Sequence, residues 1–100
     1  MTFAEFEQSL KSKAPPRGAA PALAALWWAR KNDWDQAHTI VMSQESRDAA
    51  WVHAYLHRVE GDADNAAYWY GQARRPIARG TLDAEWNEIV AALLDASASG

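Results

Sequence analysis

Two histidines four residues apart, His53 and His57, are the side chains of this chain best suited to chemistry. On an α-helix, residues i and i+4 lie on one face, so both imidazoles would point the same way, as two ligands of a metal site do. A zinc site needs a third protein ligand. Because the chain has no cysteine, that ligand would be Glu60, one turn beyond His57, or His38 from a different helix.

The same histidines also have a purely structural interpretation. At helical spacing they border Ala50 and Ala54, so they would lie where their helix meets a neighbour, packing the ring and making one hydrogen bond. His38, four residues after Trp34, is open to the same interpretation. Ala54 stands where a His-Glu-x-x-His protease motif has its glutamate, so that signature is missing. We therefore predict packing, keep metal binding as the alternative, and expect no cofactor and no catalytic residue.

A second set of residues is suited to recognising a partner. Tyr68 lies on the side of its helix opposite Trp69, together with Asn65, Gln72 and Arg75. Tyr and Arg are enriched at binding hot spots, although Tyr68 could instead be covered by another helix. The candidate binding residues, including the histidines, are His53, His57, Arg58, Asn65, Tyr68 and Arg75.

Composition excludes several classes of protein. A chain of 100 residues with 49% hydrophobic and 23% charged residues is typical of one globular domain. Ten Lys and Arg against 13 Asp and Glu give a net charge of −3, so nucleic acid is not an expected partner. The most apolar run, residues 19–29, is too short to span a membrane, and residues 1–13 lack the apolar core of a signal peptide. We expect a cytoplasmic protein without a membrane partner.

Helical spacing of apolar residues recurs along the whole chain, and no segment alternates as a strand does. Thr2 followed by Glu5 predicts a capped first helix, and Pro76 predicts the end of the fifth. The sequence therefore predicts an all-α domain of about six helices over residues 1–100. Its expected parts are a capping helix in 1–13, two helical hairpins in 19–75 and a C-terminal helix in 81–97.

A pattern repeats at a distance of 29 residues. Asn32-Asp33 and Gly61-Asp62 each form a turn signal, and each is followed by a small residue, Ala37 or Ala66, at the same distance. A helix, a tight turn and a second helix are therefore expected twice. Hairpins of this kind cover their apolar faces by stacking, so we predict a right-handed array of antiparallel helical hairpins.

These turns resemble those of tetratricopeptide and Sel1-type repeats, although the spacing of 29 is shorter than the 34 residues of a tetratricopeptide repeat. The chain also resembles a family of short microbial proteins that has no assigned activity, over residues 22–94. That resemblance implies glycine where this chain has Arg74. Its motifs are Leu26-Trp27-Trp28, Asp33 to His38, Trp51 to Arg58, Gly61-Asp62, and Tyr68-Trp69-Tyr70 through Arg75-Pro76.

Two functions follow as expectations from this pattern. Helical hairpin arrays commonly form binding surfaces, so the first is a small interaction module that binds a protein partner. The alternative is a small-molecule or metal-binding protein, possibly an enzyme, that uses His53 and His57. The chain has neither a glycine-rich phosphate loop nor a serine nucleophile motif, so nothing in it favours an enzyme.

Overall fold

The computed structural model describes the backbone of residues 1–99 and the side chains of residues 1–96. The described chain forms six α-helices and no strand, which confirms the predicted all-α class. None of these helices is long and apolar enough to cross a membrane. The helices are α1 (Phe3–Ser9), α2 (Pro21–Arg30), α3 (Trp34–Met42), α4 (Arg47–Val59), α5 (Ala63–Ala73) and α6 (Leu82–Ser99).

Side-chain caps determine where most of these helices begin. The Thr2 hydroxyl accepts a hydrogen bond from the Glu5 amide, and the Glu5 carboxylate accepts one from the Thr2 amide, which forms the expected capping box of α1. Ser46 caps α4 in the same way by accepting from the Ala49 amide at 3.0 Å. These caps satisfy amides that lack a partner within the helix.

The two turns of the repeat have the same local geometry. Asn32 after α2 and Gly61 after α4 both take a left-handed conformation, with φ of 64° and 85°. In each turn the next residue is an aspartate, Asp33 or Asp62, whose amide bonds the carbonyl five residues back at 2.9 Å. Its carboxylate then accepts from the amide three residues on at 3.1 Å. The chain therefore reverses direction twice through the same hydrogen bonds, 29 residues apart.

Helix α4 is the most enclosed element of the fold, and every residue from Ala49 to His57 is buried. It contacts α2, α3, α5 and α6, whereas α1 packs on α6. Helix α2 is apolar nearly all round, whereas helix α4 occupies this central place although it carries several polar residues. Its polar side chains therefore lie inside the structure, where they must find partners.

Candidate metal centre

The three histidines of the chain come together between α3 and α4. His38 projects from α3, and His53 and His57 project from α4. One ring nitrogen from each lies within 4.8 Å of the others, and Nε2 of His38 is 3.0 Å from Nε2 of His53. His53 and His57 are only 5% and 6% exposed, and His38 is half-buried. His53 and His57 therefore form one cluster with His38, which the sequence had offered as a third ligand.

One hydrogen bond joins the two helices beside the cluster. Ala37, beside His38, and Ala54, beside His53, are small and fully buried. The indole Nε1 of Trp34 donates to the Leu56 carbonyl at 2.7 Å, which ties the start of α3 to the end of α4. The relative position of the imidazoles thus follows from packing that lies outside the histidines themselves.

Two tryptophans form the walls of the cluster. The Trp34 ring stacks on His38 with centroids 4.5 Å apart, and the Trp69 ring stacks on His53 at 3.9 Å and an interplanar angle of 13°. His53 in turn stacks on His57 at 4.9 Å. Rings enclosed in this way have few rotamers open to them, so the cluster is held close to one geometry.

Glu60 is hydrogen-bonded to the third imidazole. Its carboxylate lies 2.6 Å from Nδ1 of His57. An ionised carboxylate can only accept, so Nδ1 carries the hydrogen of this bond. A carboxylate behind a histidine is a common outer partner of a metal ligand. Glu60, a weak ligand candidate from the sequence, also lies with His57 and Asp62 in a second group whose ligand atoms are within 4.8 Å of one another.

Burial keeps two of the three histidines, His38 and His53, in their neutral form. Burial, assisted by the neighbouring His38 and His57, lowers the pKa of His53 to about 4. Burial also lowers the pKa of His38, with His57 acting in the same direction and Glu60 opposing it. Neutral imidazole is the form that binds a metal, so no proton need be displaced from these two rings at pH 7.

The nitrogen spacing fits a tetrahedral ion with a small contraction. Bonds of about 2.0–2.1 Å from zinc to nitrogen place two ligand nitrogens roughly 3.3 Å apart. The His38–His53 distance of 3.0 Å is already near that value, and no two of the three ligand nitrogens are more than 4.8 Å apart. One ion would therefore reach all three nitrogens if the wider spacings closed by up to about 1.5 Å.

Arg58, a predicted binding residue next to His57 in sequence, belongs to a different cluster. Its Nη1 lies 2.9 Å from Glu85, which is 4% exposed, and its Nη2 donates to the Gly80 carbonyl. The other Glu85 oxygen accepts from the Tyr70 hydroxyl at 2.5 Å. Burial and this hydrogen bond raise the pKa of Tyr70. Arg58 is therefore held inside the fold.

The remaining predicted residues lie on or just after α5. Tyr68 is 58% exposed and meets Trp69 edge-on at 5.1 Å. Asn65 is exposed, and its side-chain amide lies 3.4 Å from the carboxylate of Asp62. Arg75 is exposed and places its guanidinium 3.8 Å above the Trp51 ring. The six predicted residues therefore do not share one surface, because the histidines and Arg58 are enclosed.

Sequence reasoning missed two residues of these clusters, Trp69 and Glu85. Trp34, noted from the sequence four residues before His38, stacks on it as residues one helical turn apart can. Trp69 reaches His53 from another helix, so no local spacing reveals it. Glu85 lies one position before Trp86 at the edge of an apolar stripe, which is the only sign of its burial.

Comparison with models of protein families, with curated proteins and with solved structures finds no match for this chain. The resemblance to tetratricopeptide hairpins and to a family of short microbial proteins therefore stays a prediction, and so does the right-handed array.

Proposed function

We propose that this protein binds a divalent transition-metal ion through His38, His53 and His57. The observation that carries the proposal is the convergence of three imidazole nitrogens from two helices within 4.8 Å. Imidazole suits zinc, copper, nickel and iron, whereas magnesium and calcium prefer oxygen ligands. The ion would link α3 to α4, because His38 and His53 are 15 residues apart.

Packing alone accounts less well for this arrangement. A helix interface that needs only packing is served by apolar side chains, since each enclosed imidazole must be desolvated and hydrogen-bonded. Here Nε2 of His38 faces Nε2 of His53 instead of a carboxylate or a carbonyl. Two like groups at 3.0 Å, with a third nearby, bring three ring nitrogens towards one point. A cation is the natural partner of such a point.

Metal binding would require one internal rearrangement. In the hydrogen bond between His38 and His53, one Nε2 carries the hydrogen and the lone pair of the other Nε2 accepts it, so neither lone pair is free while the bond is made. The donor must move its hydrogen to Nδ1 before both nitrogens can bind an ion. His57 needs no such change, because Glu60 already holds the hydrogen of His57 at Nδ1. The affinity for the metal ion is therefore expected to be lower than at a site where every histidine already carries its hydrogen on the nitrogen that faces away from the ion.

Calorimetric titration of tag-free, chelator-treated protein with Zn²⁺ and Ni²⁺ tests the proposal. We expect one ion per chain and an increase in the free energy of unfolding of about 3 kcal/mol at a free metal concentration about 100 times Kd. His38→Gln and His53→Gln should each abolish metal binding. The chain has three histidines in all, so no further imidazole could replace the lost ligand. Thr39→Ala, an exposed neighbour on α3, is the matched control and should bind as the parent does.

The proposal fails if neither metal gives heat or a shift in melting temperature. It also fails if both histidine variants bind as tightly as the parent chain, since binding would then lie elsewhere.

Binding of a protein partner is a second, separate proposal. It is supported by the exposure of Tyr68, whose ring stands on Trp69 beside the exposed Gln72. A pull-down with the parent chain and with a Tyr68→Ala/Arg75→Ala variant tests it. Recovery of the same proteins by both would exclude this surface as the binding site.

A further inference from the structure

A cleft with a volume of about 340 Å³ opens beside the histidine cluster, where α3 ends and α4 begins. His53 and Trp69 line it, so the cleft reaches one of the three proposed metal ligands. Val41, Met42 and Ala50 supply part of its apolar wall. The polar residues that line it are Gln44, Glu45, Ser46, Arg47 and Gln72.

Three imidazoles leave one position of a tetrahedral ion without a protein ligand. Among the described residues, Glu60 and Asp62 are the other metal-ligating side chains grouped with a member of the cluster. Glu60 is bonded to Nδ1 of His57, and Asp62 caps α5. Three protein ligands and one open position are characteristic of zinc sites that bind or transform a small molecule, whereas structural sites are closed by four.

We propose that the fourth position is exchangeable and binds the carboxylate of a small organic acid that enters through this cleft. The inference rests on the proposed metal site. Neutral imidazoles leave a divalent ion with its full double charge, so an anion is the favoured fourth ligand. The cleft volume is near the lower end of the range for ligand pockets, which fits a small acid.

The cleft itself favours an anion in two ways. Arg47 lines it and makes no ion pair with any described residue. A guanidinium matches the two oxygens of a carboxylate. The cleft also contains the N-terminus of α4, a helix of 13 residues whose dipole favours negative charge; the Ala49 amide is already bonded to Ser46, and Asp48 lies in the first turn. Glu45 in the lining and Asp48 beside it oppose an anion, so the ion and Arg47 together set the preference.

Cobalt-substituted protein provides the test, because the visible spectrum of Co²⁺ reports a change of ligand directly. Acetate is added to the loaded protein up to about 100 mM, a range suited to millimolar binding. Sodium perchlorate at the same ionic strength and acetamide at the same concentration are the controls. We expect a saturable spectral change with acetate alone. Arg47→Gln should weaken acetate binding about tenfold without releasing Co²⁺, whereas Arg79→Gln, which does not line the cleft, should leave it unchanged.

The possible failures can be told apart. If Co²⁺ does not bind, the metal site itself is wrong and the inference falls with it. If Co²⁺ binds and acetate leaves its spectrum unchanged, the metal site stands and the exchangeable position is overturned. If acetate binds equally well to the parent and to Arg47→Gln, the assignment to this cleft is overturned.

Discussion

Two enclosed polar clusters share helix α4, and they are satisfied in different ways. In one, the buried Glu85 carboxylate has a cationic partner in Arg58 and a hydroxyl donor in Tyr70. In the other, His38 and His53 are bonded to each other, and the Glu60 carboxylate is bonded to Nδ1 of His57. The first cluster contains charges of both signs and is complete. The second is built of three imidazoles, and the proposed ion would bind there.

Helical geometry explains how one element supports both clusters. His57 and Arg58 are adjacent in sequence, so their side chains leave α4 about 100° apart. His57 therefore faces α3, whereas Arg58 reaches Glu85 on α6. A buried charge that is already paired is expected to contribute to the native structure, and the histidine cluster is expected to respond to a proton or an ion that binds it.

The largest effect is expected from removing the carboxylate of the complete cluster. Glu85→Ala leaves the Arg58 guanidinium and the Tyr70 hydroxyl without their partner and should lower the free energy of unfolding by about 4 kcal/mol. Urea denaturation measures this. Asp83→Ala is the control. Asp83 lies on the same helix as Glu85 but is exposed and pairs with Arg30 of α2, so its loss should lower the free energy of unfolding by less than about 1 kcal/mol. Equal losses in the two variants would contradict the difference between enclosed and exposed pairs.

A slightly smaller loss of stability is expected when the metal-free protein is acidified, because of its histidine cluster. The pKa of His53 is about 4 in the folded state and near 6.5 when the chain is unfolded, so between these values the unfolded chain takes up a proton that the folded chain does not. The free energy of unfolding should therefore fall by about 3 kcal/mol as the pH is lowered from 6.5 to 4.

Urea denaturation over this pH range, with His53→Gln as the comparison, tests the assignment. The variant cannot take up that proton, so its stability should change less across the same window. Parallel pH profiles for the two proteins would show that His53 is not the group responsible.

A variant of Glu60 tests whether this carboxylate supports a metal ligand or has a purely structural role. Glu60→Gln removes the charge behind His57 and should weaken Zn²⁺ binding about tenfold, because such partners orient the ring and make it more basic. The side chain is 38% exposed, so the stability of the metal-free protein should change by less than about 1 kcal/mol. Calorimetry with Zn²⁺ and urea denaturation give the two values. Unchanged Zn²⁺ affinity would place Glu60 outside the site.

The parts of the fold that could be predicted from the sequence are those that depend on local chemistry. Asp33 and Asp62 follow turn residues and cap the next helix, and both turns have the expected form. The shared face of His53 and His57 also follows from spacing alone. By contrast, the 3.0 Å approach of His38 depends on how α3 packs against α4. Spacing within one helix contains no information about such a distance.

The enclosed charge could not be predicted for a related reason. Glu85 adjoins the apolar stripe of α6, and a glutamate there is ordinarily a solvated residue. Its burial becomes favourable only because Arg58 and Tyr70 arrive from two other helices. Nothing in the sequence indicates that Glu85 is the partner of Arg58, since charges paired between helices leave no periodic pattern.

The smallest effect is expected at Arg74, where stability can be changed without touching either cluster. Arg74 ends α5 with φ of 57° and ψ of 45°, a conformation that glycine adopts without steric cost, and the following amide of Arg75 bonds the Tyr70 carbonyl. Arg74→Gly should raise the free energy of unfolding by up to about 1 kcal/mol and leave Zn²⁺ affinity unchanged. Asn32 after α2 is the other non-glycine residue with a positive φ among the described residues. Asn32→Gly should have a smaller effect, because asparagine tolerates this conformation. A change in Zn²⁺ affinity in Arg74→Gly would mean that metal binding follows overall stability, and the contrast between the two clusters would then lose its meaning.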